Sequence, residues 1–391
     1  MVEETATASI GRGASRADGE RRDALPLLTT IAADAWRRLA TRAIEPNGYY
    51  LPDWELAVNA SATGRTGVSA LAAWSASPSP RLIGLLPVIS GWRAFRLPLP
   101  FLVSASPYGT LTTPLLERND APEALTALLD QARRAGAHTL LLRDMALDGA
   151  AMATLTAVLA SRGLAPCLLQ PRRRASLDAT RDADEVLHDG LGAKKLKELR
   201  RQRHRLAEHG DVVFTVARSP AEVAAALEIF LVLEAGGWKG KRGTALSQDT
   251  GDAAFIRRAV PGLAEAAQCE IITLHAGRTP IAAGIVLRHL DRAFYFKIGI
   301  DERFAKFSPG VQLTLDLTRH LCADPGIRSA DSTAAPGHPM IDPIWRGRLT
   351  ISDVLIPLRS GHPAVAMIHA VLRLRQSAID GLRRVAQKLR G

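Results

Sequence analysis

The segment Ala293-Phe294-Tyr295-Phe296-Lys297-Ile298-Gly299-Ile300-Asp301-Glu302-Arg303-Phe304-Ala305-Lys306-Phe307-Ser308-Pro309-Gly310-Val311-Gln312 reads as a strand, a basic loop and a helix start in direct succession. Regular strand alternation puts Phe294, Phe296, Ile298 and Ile300 on one face and Tyr295, Lys297 and Gly299 on the other, so that one face packs and the other is available to a cleft. Ser308-Pro309-Gly310 is a helix start, with serine as the expected N-cap and proline in the first turn, where its missing N–H costs nothing. The amides of Gly310, Val311 and Gln312 are then expected to be free. With the helix dipole and the cations Arg303 and Lys306 they predict an anion site, which a diphosphate-bearing donor such as coenzyme A requires.

Around this segment, short strands alternate with helices. The patterning predicts strands at 212–216, 270–274, 281–290 and 293–300 and helices at 220–234, 252–267 and 310–322. Upstream it predicts strands at 83–89 and 138–143 and helices at 122–135 and 149–162. A weak repeat links the two halves: Pro80-Arg81-Leu82-Ile83-Gly84-Leu85 parallels Pro280-Ile281-Ala282-Ala283-Gly284-Ile285, each after a turn and each with glycine where a side chain would obstruct packing. Two copies of one α/β unit explain it most economically. The organisation read from the chain is a disordered tail over 1–24, a first lobe over 25–180, a basic linker helix within 181–209, a second lobe with the donor site over 210–360, and a basic amphipathic helix over 361–391.

Composition supports two ordinary cores, with 391 residues of which 47% are hydrophobic. No run approaches the roughly 18 apolar residues that span a bilayer. The first residues are polar and lack the apolar stretch of a secretory signal, so the expected compartment is the cytoplasm. Cys167, Cys269 and Cys322 are scattered, without histidine or aspartate clusters beside them; they predict buried thiols, with neither disulfides nor a metal site. The net charge of +11 leaves open a nucleic-acid partner, a membrane surface, an anionic substrate or an arginine-rich codon bias.

Three segments carry a family resemblance: the basic helix before Gly210-Asp211-Val212-Val213-Phe214, Glu234 followed by Gly237-Trp238-Lys239-Gly240, and Tyr295 through Gly310. Together they resemble the GNAT-superfamily acetyltransferases associated with cellulose and exopolysaccharide biosynthesis (CelD/BcsL-like), bacterial proteins similar in architecture to the two-lobed FemAB-like aminoacyltransferases. The resemblance covers 191–357 well and the first lobe in pattern only, as in Gly84-Leu85-Leu86-Pro87. It implies an α/β (α+β) fold of two tandem GNAT-like lobes, each a mixed, mostly antiparallel sheet flanked by helices. It further implies acyl transfer from acyl-CoA, a co-substrate and not a resident cofactor, to an amino or hydroxyl group of a sugar or cell-envelope precursor. The superfamily's diphosphate turn usually carries two small residues; here only Gly310 is present, so aminoacyl-tRNA stays open as the donor.

Acyl transfer needs positioned reactants, a proton acceptor and oxyanion donors. Glu234, at a helix end before Gly236-Gly237, is a candidate base or else a solvated carboxylate. Asp331, at a strand end, is a second candidate base or a turn cap. Tyr295 is a candidate proton donor to the leaving thiolate or a core residue. Arg303, Lys306, Ser308, Gly310, Val311 and Gln312 form the expected donor-binding set. Trp238, Lys239, Lys297, His338, Asp342 and Trp345 form the expected acceptor-binding set, with ordinary packing or solvation as the alternative for each. The linker helix, with seven cations from Lys194 to Arg205, suits tRNA or is a solvated face over Leu196, Leu199 and Leu206. The terminal helix, Pro363 to Arg390, alternating Val365, Ile368, Leu372 and Leu389 with Arg373, Arg375, Arg383, Arg384 and Lys388, would dock on the protein, pair with another subunit, or lie on a membrane near a polysaccharide synthase. A non-catalytic scaffold for such a synthase is the reading from another class; DNA binding is not expected.

Overall fold

A computed structural model describes residues 23–388. Most of the expected 1–24 tail, and Leu389 and Arg390 of the terminal helix, lie outside the described residues. The first half runs α1 Ala33–Ala40, α2 Pro52–Ser61, β1 Ser69–Trp74, β2 Leu82–Ser90, α3 Gly91–Phe95, β3 Phe101–Ser104, β4 Leu115–Leu116, α4 Ala121–Arg134, β5 Thr139–Ala146, α5 Ala150–Ser161 and β6 Cys167–Asp178. The second runs α6 Ala183–Leu206, β7 Val212–Ala217, α7 Pro220–Gly236, α8 Trp238–Lys241, α9 Thr250–Glu265, β8 Cys269–Ala276, β9 Thr279–His289, β10 Arg292–Ile300, α10 Pro309–Cys322, β11 Ser329–Asp331, β12 Gly347–Pro357 and α11 Pro363–Lys388.

All the strands join one mixed sheet in the order β1-β2-β3-β5-β12-β6-β11-β10-β9-β8-β7, with β4 also on β2. Neighbours are antiparallel except β3 with β5 and β10 with β11. Each lobe therefore repeats one motif, an antiparallel β1-β2-β3 or β8-β9-β10 meander ending on a short parallel pair. This is the expected fold of two tandem lobes. Glycine occupies equivalent places in both: an added Cβ would come within 3.0 Å of Ala124 at Gly84 and within 2.7 Å of the Tyr295 ring at Gly284.

The lobes exchange their last strands. β6 follows β5 in the chain but pairs with β11, while β12 follows β11 but pairs with β5, and β6 and β12 then pair with each other over eight positions. Arg174 on β6 and Asp331 on β11 form an ion pair with both side chains 1% exposed, and Arg174 also donates to the carbonyl and hydroxyl of Thr110 at 2.8 Å.

Local chemistry explains the helices around the site. α7 begins with a capping box, Ser219 and Glu222 bonding each other's backbone amides, with Pro220 in the first turn. α6 breaks at Gly192, whose φ of +73 only glycine adopts without strain, so the basic helix proper begins at Ala193. Leu196, Leu199 and Leu206 are buried against α10 and its surroundings, and most of the cations face water. Of the cysteines only Cys269 is fully buried; Cys167 and Cys322 are half-buried.

The two lobes close over an aromatic core. Trp54 of α2 meets Phe255 of α9 and Phe296 of β10, each at 4.9 Å, and Tyr49 meets Phe294 at 5.7 Å. His289 of β9 ties the same seam: Nδ1 accepts from the Asn47 amide at 2.8 Å and Nε2 donates to the Ala40 carbonyl at 2.9 Å. The bond from Asn47 requires an unprotonated Nδ1 and so the neutral ring, and burial holds its pKa near 4 against the ordinary 6.5. The unfolded chain takes up this proton below pH 6.5, whereas the folded chain does so only near pH 4. The stability from this site is thus complete above 6.5 and lost progressively as pH falls through that window, by up to about 3 kcal/mol. Urea unfolding across the window should show a His289→Gln variant losing its deficit relative to wild type as the pH drops; a deficit that stays constant would contradict this reading.

Candidate active site

β10 carries the site because its ladder is irregular on both edges. Against β9 the register slips between Tyr295 and Lys297, a bulge that sets Phe296 and Lys297 consecutively on the α7 face. Ile298 and Ile300 consequently pack on the opposite face, with Tyr295. Strict alternation is corrected here: Phe294 and Phe296 do not share a face with Ile298 and Ile300, and the extra residue is what turns the Lys297 ammonium toward Glu234. Against β11 the parallel pairing lasts from Arg292↔Ser329 to Phe294↔Asp331 and then stops. β11 ends there in a turn in which Asp331 accepts from the Thr333 amide at 2.9 Å and the Thr333 hydroxyl donates to the Tyr295 carbonyl at 2.7 Å.

A cavity of about 450 Å³ fills the resulting gap between the strands. One end is the start of α10, where Ser308, Pro309, Gly310 and Val311 line it; the other is the end of α7, with Glu234, Trp238, Lys239 and Lys297. Ser332, Thr333, Ala334, His338 and Met340 form the remaining side. Ser308 stands at the N-cap position, but its side chain caps nothing; instead its backbone is left-handed, with φ +54. Gly310 and Val311 are first-turn residues whose amides have no intrahelical acceptor. The Gln312 amide, expected to be free, bonds the Ser308 carbonyl at 3.0 Å, and its buried side chain donates to the Leu199 carbonyl at 2.8 Å. Its position in the helix, four residues on from Ser308, is the reason.

At the other end Glu234 is buried, not a solvated helix end, because α7 continues past it to Gly236 and α8 folds back over it. Its Oε1 lies 3.2 Å from both the Lys239 and the Lys297 ammonium groups, and Oε2 accepts from the Leu246 amide at 2.9 Å. Lys239 also donates to the Ile298 carbonyl at 2.9 Å. Burial and the neighbouring Lys297 push the Lys239 pKa down, and Glu234 partly restores it. Gly299 admits this arrangement: a Cβ there would sit 2.8 Å from the Glu234 backbone nitrogen. Trp238 stands half-exposed at the rim with the Arg242 guanidinium over its ring at 5.0 Å.

The cavity thus gathers Glu234, Trp238, Lys239, Tyr295, Lys297, Ser308, Gly310, Val311 and His338, and it leaves out the other candidates. Asp331 is locked on Arg174 behind the turn. The Tyr295 ring is core, packed across Gly284 and against Trp345, and burial raises the pKa of its phenol, which makes it a poorer proton donor. Trp345 is fully buried, with its indole N–H on Thr318 at 2.9 Å. Asp342 holds the loop by accepting from the Gly337 amide at 3.0 Å. Arg303 turns onto Asp301 at 2.7 Å, and Lys306 lies over the Phe307 ring at 4.8 Å, so neither cation lines the anion end. The sequence reading missed Arg174, Tyr49 and Tyr108; the run Arg172-Arg173-Arg174 inside a strand was the available signal for the first. Tyr108 faces the lysine end, its ring 5.8 Å from Lys297 and its hydroxyl 2.5 Å from Asp252. Among the described residues no group of histidine, cysteine and carboxylate side chains is arranged to hold a metal ion, and no helix is long and apolar enough to cross a membrane.

Residues 193–336, which contain β7 to β11, match the family described as an acetyltransferase (GNAT) domain. No curated protein matches the chain. Solved structures share the fold over nearly their whole length. The C-terminal domain of a protein assigned as a lysylphosphatidylglycerol synthetase from Agrobacterium fabrum is 14% identical with a TM-score of 0.53, over 87% of this chain and 96% of that one. FemX is 13% identical with a TM-score of 0.53, over 86% and 98%. A conserved protein of unknown function from Bacteroides thetaiotaomicron is 12% identical with a TM-score of 0.52, over 86% and 100%. Residues 193–336 are thus similar to an acetyltransferase (GNAT) domain, and the chain as a whole shares the fold of these solved structures.

Proposed function

We propose that the protein moves an acyl group, acetyl in the first instance, from acyl-CoA to an amino or hydroxyl group of a sugar or cell-envelope precursor. The observation that carries the reading is the single cavity running along the open edge of β10 from the α10 amides to the paired lysines. The donor's diphosphate accepts from the Gly310 and Val311 amides, assisted by the helix dipole, and its thioester arm lies in the gap left by β11. The cell-envelope acceptor rests on the resemblance of the Glu234 and Tyr295–Gly310 segments to exopolysaccharide-associated enzymes.

Chemistry is assigned to the lysine end. Glu234 serves as the positioning carboxylate, its Oε1 3.2 Å from each of the two lysine nitrogens. Lys297 stabilises the negative charge that develops on the thioester oxygen. Lys239 acts in its neutral amine form, which its depressed pKa favours: it accepts the proton of the attacking amine or hydroxyl as nitrogen or oxygen bonds to the acyl carbon; the carbon–sulfur bond then breaks and the thiolate leaves.

The relative named for lysylphosphatidylglycerol synthesis, and FemX, keep an aminoacyl donor as a second reading. One observation favours it, the row of water-facing cations Lys194, Lys197, Arg200, Arg201 and Arg205 on α6.

Calorimetric titration with acetyl-CoA should give binding that Gly310→Asp abolishes, because the new carboxylate faces the diphosphate end. The atoms nearest a Cβ there are the flexible Met340 sulfur at 3.2 Å and isoleucine methyls at 3.4 Å, so the variant should fold; undiminished affinity in a folded variant contradicts the site. Activity should rise with pH through the Lys239 pKa. In Glu234→Gln, which removes a group that raises that pKa, the rise should move to lower pH, while Lys239→Met should lose about a hundredfold or more in kcat. A rise that moves to higher pH in Glu234→Gln excludes Lys239 as the proton acceptor. For the second reading, tRNA affinity should fall steeply with salt and lose about one unit of salt slope for each α6 cation removed, whereas acetyl-CoA affinity should ignore those substitutions.

A further inference from the structure

On the sheet face covered by α11 lies a separate polar cleft of about 210 Å³. Arg143 of β5 and Arg373 and Arg375 of α11 converge on it, together with Phe95 of α3. The Arg143 and Arg375 guanidinium groups approach the same Phe95 ring at 6.0 and 4.7 Å, which brings two like charges onto one spot. Among the described residues none of the three arginines has a carboxylate within ion-pair distance. The one acid in the wall, Asp353, accepts from the Asp144 amide at 3.0 Å and shares its charge between Arg172, at 3.9 Å, and Arg143. Three converging cations against one engaged carboxylate form a cleft that lacks an anion.

The surroundings say which kind of anion. α11 docks through Ile368 and Leu372, which are buried against Phe101, Leu141 and Leu355. The elements that wall the cleft nevertheless leave large apolar side chains in water: Leu374 is 71% exposed, Trp92 of α3 is 53% and Leu168 of β6 is 43%. A small soluble anion gains nothing from these, whereas a lipid surface takes up a tryptophan and leucines beside a cluster of arginines. We propose that the α3–α11 face binds the phosphate of an anionic phospholipid in the Arg143, Arg373 and Arg375 cleft and docks the protein peripherally on a membrane through Trp92, Leu168 and Leu374. The inference does not depend on the transferase reading, since it uses no residue of the β10 cavity.

The test is co-sedimentation of the full chain with vesicles of phosphatidylcholine alone and of phosphatidylcholine mixed with phosphatidylglycerol. Wild type should sediment with the mixed vesicles, less so at high salt, and weakly with phosphatidylcholine. The triple variant Arg143→Gln, Arg373→Gln, Arg375→Gln should bind the mixed vesicles about a hundredfold more weakly, from about 1 kcal/mol for each cation at an anionic surface. The double variant Trp92→Ser, Leu374→Ser should also weaken binding, with the salt dependence kept. Thermal unfolding and acetyl-CoA titration of each variant report whether it is folded. Failure of wild type to bind either vesicle, equal binding to both, or a folded triple variant that binds like wild type overturns the proposal. So does titration with inorganic phosphate as tight as vesicle binding, coupled with an unaffected double variant, which would make the ligand a soluble phosphate.

Discussion

The site depends on a ladder that stops: β10 and β11 pair for three residues and then separate. The Arg174–Asp331 ion pair sits at that point, with both side chains out of water. Burying two charges is costly, and a well-packed apolar pair would hold the strands as firmly, so the value of this pair lies in specificity. It places the last residue of β11 against β6 and against the Thr110 loop of the first lobe, and it fixes the turn through which Thr333 reaches the Tyr295 carbonyl. Were the pairing to continue, the strands would close over the space that the 450 Å³ cavity occupies.

The other edge of β10 is set by the bulge. One extra residue places Lys297 beside Glu234, and Glu234 in turn holds Lys239. A carboxylate with no exposed side-chain surface is stable here because it is flanked by two ammonium groups and one amide. The first lobe contributes the wall behind: Tyr49, Trp54 and Tyr108 pack on Phe294, Phe296 and Phe255, so the second half of the chain has a complete core only with the first half attached.

Much of this was legible in the sequence. The strand–loop–helix succession from Ala293 to Gln312 and the helix that begins at Pro220 follow from local rules that the structure obeys. What was not legible is non-local. Strand exchange between lobes leaves no trace in periodicity, because β6 and β12 satisfy the same alternation wherever they pair. The bulge at Phe296 looks identical to regular alternation, so the faces of Ile298 and Ile300 were misread. Arg303 and Gln312 look like ligands for a phosphate until Asp301 and the Leu199 carbonyl are seen to take them. Glu234 stayed open between a candidate base and a solvated carboxylate because the lysines beside it, five and 63 residues away, are brought to it only by the fold.

The most direct test of the central claim is amide hydrogen exchange with and without saturating acetyl-CoA. The account predicts slowed exchange at the Gly310 and Val311 amides and along residues 296–300 of β10, with the α4 and α5 helices of the first lobe unchanged. Protection confined to the first lobe, or to the cationic face of α6 with the β10 edge still exchanging freely, would contradict it.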